Sequence, residues 1–180
     1  SAVPQGVGAM AAILGLDDEQ VRQICAAAEQ GDVCEAVNFN SVGQVVIAGN
    51  AAAVERAMAA AKEAGAKRAL PLPVSVPSHC RLMQPAAEKL AIALQDVAFR
   101  QPEIRVIHNA DVASYNDAAQ IKDALVRQLY SPVRWTETVQ LLVREGITRS
   151  AECSPGKVLA GLAKRADKNM ECAALVSQQA

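Results

Sequence analysis

Aromatic residues are scarce: two Phe, two Tyr and one Trp make up 3% of the 180 residues. Single-stranded nucleic acid is held by stacking on such rings, so that function class has almost no material here. An excess of one charge is missing too. Lys and Arg number 18 against 19 Asp and Glu, a net charge of −1, whereas a protein that grips phosphate backbones by bulk electrostatics is far more basic. No stretch approaches the roughly 18 uninterrupted apolar residues of a membrane span, because charges, Gly or Pro break every run. Neither nucleic acid nor membrane is therefore expected as a partner. The five cysteines (Cys25, Cys34, Cys80, Cys153, Cys172) are odd in number and include no Cys-x-x-Cys pair. With no secretory signal visible, they point to a reducing cytoplasm rather than a disulfide framework. Only two histidines occur, and no cluster of His, Cys and acids has metal-ligand spacing. No metal is expected. Repeats and low-complexity segments are absent from the sequence as well.

What is present is apolar. Hydrophobic residues, largely Ala, Val and Leu, reach 51% with 21% charged, which excludes disorder and suits helices packed closely on a sheet. The length fits one ordinary domain or two small ones. The chain opens Ser1-Ala2-Val3, without Met, and is expected to be a piece of something longer.

Residues 8–72 predict a compact alternating unit. The apolar run 8–15 reads as a buried strand. Asp17-Asp18-Glu19 places acids at a helix start, Val21, Ile24, Cys25 and Ala28 recur at helical spacing, and Gly31 ends that helix. Strands are expected at 33–39 and 44–48 around an Asn40-Ser41-Val42-Gly43 loop. Asn50 is the expected cap of an alanine-rich helix running to Gly65, and 68–72 a last strand. The order β-α-β-β-α-β is that of a ferredoxin-like subdomain. Residues 73–180 change character. Strand candidates at 73–76, 104–109 and 149–153 alternate with helical stripes, which argues a parallel α/β core. Pro85 sits in a first turn before Ala87, Leu90 and Leu94. Ile121, Leu125 and Leu129 line the next helix. Ser131-Pro132 and Ser154-Pro155 each present a cap followed by proline, as at a helix start. Three strands are few for an open sheet, so this region reads as part of a core whose other strands lie before Ser1.

Few residues offer chemistry. His79 follows a predicted strand end, where sites form in open α/β sheets. Ser78 as a cap would set His79 near a helix N-terminus, whose dipole favours the neutral ring that a general base needs. Position alone fits a surface or capping histidine at least as well. His108, inside an apolar stretch, reads as structural. Cys80 is a core residue, since adjacent side chains point apart and nothing but the histidine would activate it. Gln128 lies seven residues after Ile121, where the stripe would place a leucine, and so needs a partner such as a neighbouring loop. Turn chemistry accounts for Asn40 but less well for Asn38. Ser154-Pro155-Gly156-Lys157 lacks the glycine spacing of a phosphate loop and reads as a cap.

The blocks Val37-Asn38-Phe39-Asn40-Ser41, Gly43-Gln44-Val45-Val46-Ile47-Ala48-Gly49 and Leu70-Pro71-Leu72-Pro73-Val74-Ser75-Val76-Pro77-Ser78-His79-Cys80 resemble the bacterial malonyl-CoA:acyl carrier protein transacylase family. The run from Asp123 through Arg127-Gln128-Leu129-Tyr130, and Pro155-Gly156-Lys157-Val158-Leu159, continue the resemblance in order over nearly the whole chain. It implies an α/β fold: an α/β-hydrolase-like core, its C-terminal part at 73–180, carrying a ferredoxin-like subdomain at 8–72. It implies that His79 is the catalytic histidine activating a serine, and that the Gln128 main-chain carbonyl orients it, as an Asp does elsewhere. Asn38 and Asn40 match positions near the cleft, and Ser78 one that influences acyl choice. The implied substrates are malonyl-CoA, a coenzyme A thioester, and acyl carrier protein, with no cofactor, in fatty acid biosynthesis. Two departures stand out. The family's Gly-His-Ser-Leu-Gly nucleophile elbow and its carboxylate-binding arginine are absent, and Ser154 replaces a common glycine. The expectation is a fragment carrying the base without the nucleophile, inactive alone; a non-catalytic ferredoxin-like binding module is the alternative.

Overall fold

The computed structural model describes residues 3–4, 6–74, 76–153 and 155–175. It is α/β. Along the first part run β1 (Gly8–Leu14), α1 (Asp18–Ala28), β2 (Cys34–Ser41), β3 (Gln44–Asn50), α2 (Ala51–Glu63) and β4 (Arg68–Pro71). The four strands form one sheet in the order β2-β3-β1-β4, with every neighbouring pair antiparallel. Helix α1 starts where its acids predict. Asp17 accepts from the Gln20 N–H at 2.7 Å while its own N–H donates to the Gln20 side chain at 3.1 Å, a reciprocal cap. Both helices cover one face of the sheet, where Ala11, Ile13, Phe39, Val45 and Ile47 meet Val21, Cys25, Val54 and Ala57. The opposite face buries Met10, Val37, Val46 and Ala48 against Cys80. Burial on both sides explains the unbroken apolar reading of β3, whose five central residues are all buried.

Asn50 departs from its expected role. It occupies the N-cap position of α2 but makes no side-chain cap bond. Its Oδ1 accepts from the Val33 N–H at 2.7 Å, and its N–H donates to the Val33 carbonyl at 2.8 Å. The loop before β2 is thereby stitched to the end of β3, and Gly49 beside it is obligatory: a Cβ there would lie 1.9 Å from the Val33 oxygen.

Beyond β4 come a 3₁₀ turn (Arg81–Met83), α3 (Gln84–Ala93), α4 (Ala118–Arg127), α5 (Trp135–Arg144), β5 (Arg149–Glu152), α6 (Val158–Ala166) and β6 (Glu171–Ala174). β5 and β6 pair in parallel across α6, and Val139, Ala163, Ala166 and Met170 pack α5 and α6 together. Of the three strands expected here, only 149–153 forms. Residues 73, 74 and 76 are not a strand, because Pro73 and Pro77 supply no N–H to a ladder. Ser75 lies outside the described residues. The 104–109 stretch contributes only the bridge between His108 and Ala113, and Ile104 is 80% exposed. An apolar run makes a strand only where a neighbour accepts its hydrogen bonds, and no described strand flanks it. β6 was not foreseen. Helix α5 begins at Trp135 rather than after Ser131-Pro132, since Val133 is engaged elsewhere: it donates to the Val37 carbonyl at 2.8 Å and accepts from the Phe39 N–H at 2.9 Å along the outer edge of β2. The cap proposed at Ser154 lies outside the described residues.

Candidate active site

The chain after β4 is fixed onto the first sheet before it reaches His79. Pro77 is buried directly over Gly8, where a Cβ would lie 2.3 Å from the proline ring. Cys80 is fully buried on the sheet and its thiol donates to the Pro77 carbonyl at 3.1 Å. Arg81 then reaches back to Glu35 at 2.6 Å and Glu29 at 2.8 Å. Between these anchors His79 adopts φ = 68°, the left-handed region, which a non-glycine residue occupies only when its surroundings enforce it.

What enforces it is the end of α4. The His79 N–H donates to the Leu129 carbonyl at 3.1 Å, and its Nδ1 lies 2.8 Å from the Gln128 carbonyl oxygen. Gln128 is the C-cap of α4, so its carbonyl belongs to the last turn, which has no intrahelical donor to satisfy it. A carbonyl only accepts, so Nδ1 carries the hydrogen and the neutral ring keeps Nε2 as its acceptor. As the sequence predicts, His79 lies just before a helix start, the 3₁₀ turn that runs into α3, although Cys80 rather than Ser78 occupies the N-cap position and no side chain caps it. The Nδ1 side of the ring meets a second helix end, the C-terminal turn of α4.

The other candidates fall as follows. Ser78 is half-buried, its N–H donating to the Val76 carbonyl at 2.9 Å. Asn40 is not in a turn: β2 continues to Ser41, leaving Val42 and Gly43 as the turn. Register shifts flank Asn38 and Asn40 in the pairing of β2 with β3. Phe39 between them packs toward the helices, and both asparagines are half-buried. Asn38 also bridges to Val133, four residues beyond Leu129. Burial pushes the Cys80 thiol up to about 11, which leaves it protonated and unreactive. His108 is buried, with its ring 5.6 Å from that of Tyr115. Among the described residues no three His, Cys, Asp or Glu gather as a metal site, and no helix is long and apolar enough to cross a membrane.

Two features were not read from the sequence. One is the Leu129 carbonyl, a backbone group that no side-chain pattern reveals. The other is an ion-pair cluster at the end of α4, where Arg127 meets Asp123 at 2.6 Å and Asp111 at 2.7 Å. The Asp123–Arg127 half was visible as an i,i+4 pair.

The model of the acyl transferase domain matches residues 2–179. The chain belongs to the acyl transferase domain family. It is 61% identical over 164 residues to the malonyl CoA-acyl carrier protein transacylase of Haemophilus influenzae, covering 91% of this chain and 53% of that relative. The crystal structure of an acyl carrier protein S-malonyltransferase from Vibrio cholerae superposes with a TM-score of 0.96 at 58% identity, covering 98% of this chain and 57% of that one. A malonyl-transacylase solved in complex with a type II PKS acyl-carrier protein gives a TM-score of 0.95 at 54% identity, over 97% of this chain and 56% of that one. The chain therefore spans about half the length of the acyl transferase relatives it matches.

Proposed function

We propose that this chain carries the histidine side of a malonyl-CoA:acyl carrier protein transacylase site, with His79 as general base and the Gln128 carbonyl as its orienter. The observation that carries the reading is the 2.8 Å separation of His79 Nδ1 from the Gln128 oxygen, which leaves Nε2 as the acceptor. The nucleophile is a serine in the part of the family's length that this chain does not span, since no Gly-x-Ser-x-Gly elbow occurs here. In the first half-reaction the serine oxygen attacks the malonyl thioester carbonyl and its proton passes to Nε2. The C–S bond then breaks, and Nε2 returns the proton to the coenzyme A thiolate. In the second, Nε2 takes the proton of the carrier protein's pantetheine thiol as its sulfur attacks the seryl ester, and the proton ends on the released serine. Coenzyme A enters as the thioester substrate, with no separate cofactor.

Other observations support the surrounding reading. The antiparallel β2-β3-β1-β4 order agrees with a ferredoxin-like small subdomain at 8–72, and the parallel β5-α6-β6 unit agrees with the C-terminal part of an α/β-hydrolase-like core at 73–180. The relative solved with its carrier protein supports acyl carrier protein as partner. Asn38, Asn40 and Ser78 are assigned to substrate binding at the cleft, and a cytoplasmic setting follows from the free thiols.

The test is malonyl transfer to carrier protein by the complete enzyme and by this chain alone. His79→Ala in the complete enzyme is expected to cut turnover by about 10⁴, His108→Asn to leave it nearly unchanged, and the isolated chain to transfer nothing. Equal losses for the two histidine variants, or transfer by the chain alone, would refute the assignment.

A further inference from the structure

The segment 128–133, which presents the two carbonyls that hold His79, is gripped at both ends by one loop. Residues 108–113 turn back on themselves, with the His108 N–H donating to the Ala113 carbonyl at 2.9 Å and the Val112 N–H to the His108 carbonyl at 3.0 Å. Val112 sits at φ = 56°, a strained conformation for a β-branched residue. Strain of this kind persists where surrounding contacts over-determine it. Two such contacts reach the segment. On its N-terminal side the Asp111 carboxylate takes Arg127 Nη2 at 2.7 Å and the Tyr115 hydroxyl at 2.6 Å. On its C-terminal side the Asn109 carbonyl accepts from the Arg134 N–H at 3.2 Å.

We propose that Asp111 and Arg127 are positioning residues for His79, the loop acting through their ion pair to hold the end of α4 so that the Gln128 carbonyl meets Nδ1. The effect on the ring rests on geometry alone; its effect on turnover rests on the reading of His79 as the base. Asp123 provides an internal control. It also binds Arg127, but from the same helix, so it ties nothing to the loop.

The chain's two histidines make the ring state directly readable by long-range ¹H–¹⁵N NMR, with a His79→Gln spectrum giving the assignment. The native chain is expected to show His79 as the Nδ1–H tautomer. Asp111→Ala is expected to move the tautomer ratio toward Nε2–H by about 2- to 12-fold, equivalent to one net hydrogen bond, while Asp123→Ala leaves it unchanged. In the complete enzyme the same Asp111→Ala should lower kcat roughly tenfold with KM unchanged. If Asp111→Ala does not fold, the isosteric Asp111→Asn decides in its place, with a smaller shift in the same direction. A folded Asp111 variant with the native His79 spectrum overturns the inference, as does an Asp123→Ala shift of equal size. If the tautomer shifts but His79→Ala leaves turnover intact, the positioning stands and the catalytic assignment of His79 falls.

Discussion

Substituting Gln128 separates what the backbone does from what the side chain does. Gln128→Ala keeps the carbonyl 2.8 Å from Nδ1 and removes only half-buried side-chain atoms. Gln128→Pro keeps φ near its present −61°, so the residue itself fits. It nevertheless removes the N–H that donates to the Ala124 carbonyl at 3.1 Å, and its ring disfavours the helical conformation of Arg127. The last turn must then open and carry the carbonyl away. A hydrogen bond to a charged group contributes about 1.5–3 kcal/mol, so losing it as the imidazolium forms should cost roughly 10- to 150-fold in kcat. The Ala variant should lose tenfold at most. Malonyl transfer by the complete enzyme reads both, and a thermal melt establishes that the proline variant remains folded. A folded Gln128→Pro enzyme with native turnover would refute the orienting role. So would Gln128→Ala falling as far as His79→Ala.

Three further outcomes are expected. Gly49→Ala forces its methyl onto the Val33 carbonyl and parts two hydrogen bonds between Val33 and Asn50. It should cost about 3 kcal/mol and lower the melting temperature by roughly 6–12 °C, as calorimetry would show. Burial would raise the Asp111 carboxyl, but the Tyr115 hydroxyl and the Arg127 guanidinium outweigh it and hold it below its ordinary value. A depressed acid stabilises the fold above its unfolded pKa near 4 and loses that contribution as pH falls through the folded value. Urea titrations should therefore find Asp111→Asn about 1 kcal/mol less stable than the native chain at pH 7, and the gap closing as the pH falls through the folded value. With a thiol reagent, exposed Cys153 should react in the native chain, whereas buried Cys25, Cys34 and Cys80 should react only after denaturation. Early labelling of Cys80 would contradict its packing on the sheet.

The first sheet was legible because its signals are local. Acids at 17–19 mark the start of α1, an apolar run marks β1, and a short loop ending at Gly43 closes the hairpin. Where sequence reading failed, the deciding partner was remote. Val133 is spent on the edge of β2, so α5 starts later than Ser131-Pro132 implies. Asn50 has the right position for a cap, yet its side chain is taken by Val33. The 104–109 run is apolar enough to read as a strand but has no described strand to pair with. At the site, the type and spacing of residues singled out His79 and Gln128, and the family resemblance supplied their relation. Nothing in the residue types indicated that the C-terminus of α4 would also meet the ring, or that Asp111 would reach Arg127 from sixteen residues away.

The use of Val133 along β2 has a consequence for how the molecule behaves in company. A sheet's outermost strand exposes unpaired N–H and carbonyl groups that invite another chain to add on. Here the Val37 carbonyl and Phe39 N–H of one outer strand are already occupied. The other outer strand, β4, is only four residues long and ends at Pro71, with Pro73 close behind. Neither border offers a long, flat template, so concentrated chains lack the usual seed for strand-by-strand aggregation at this sheet.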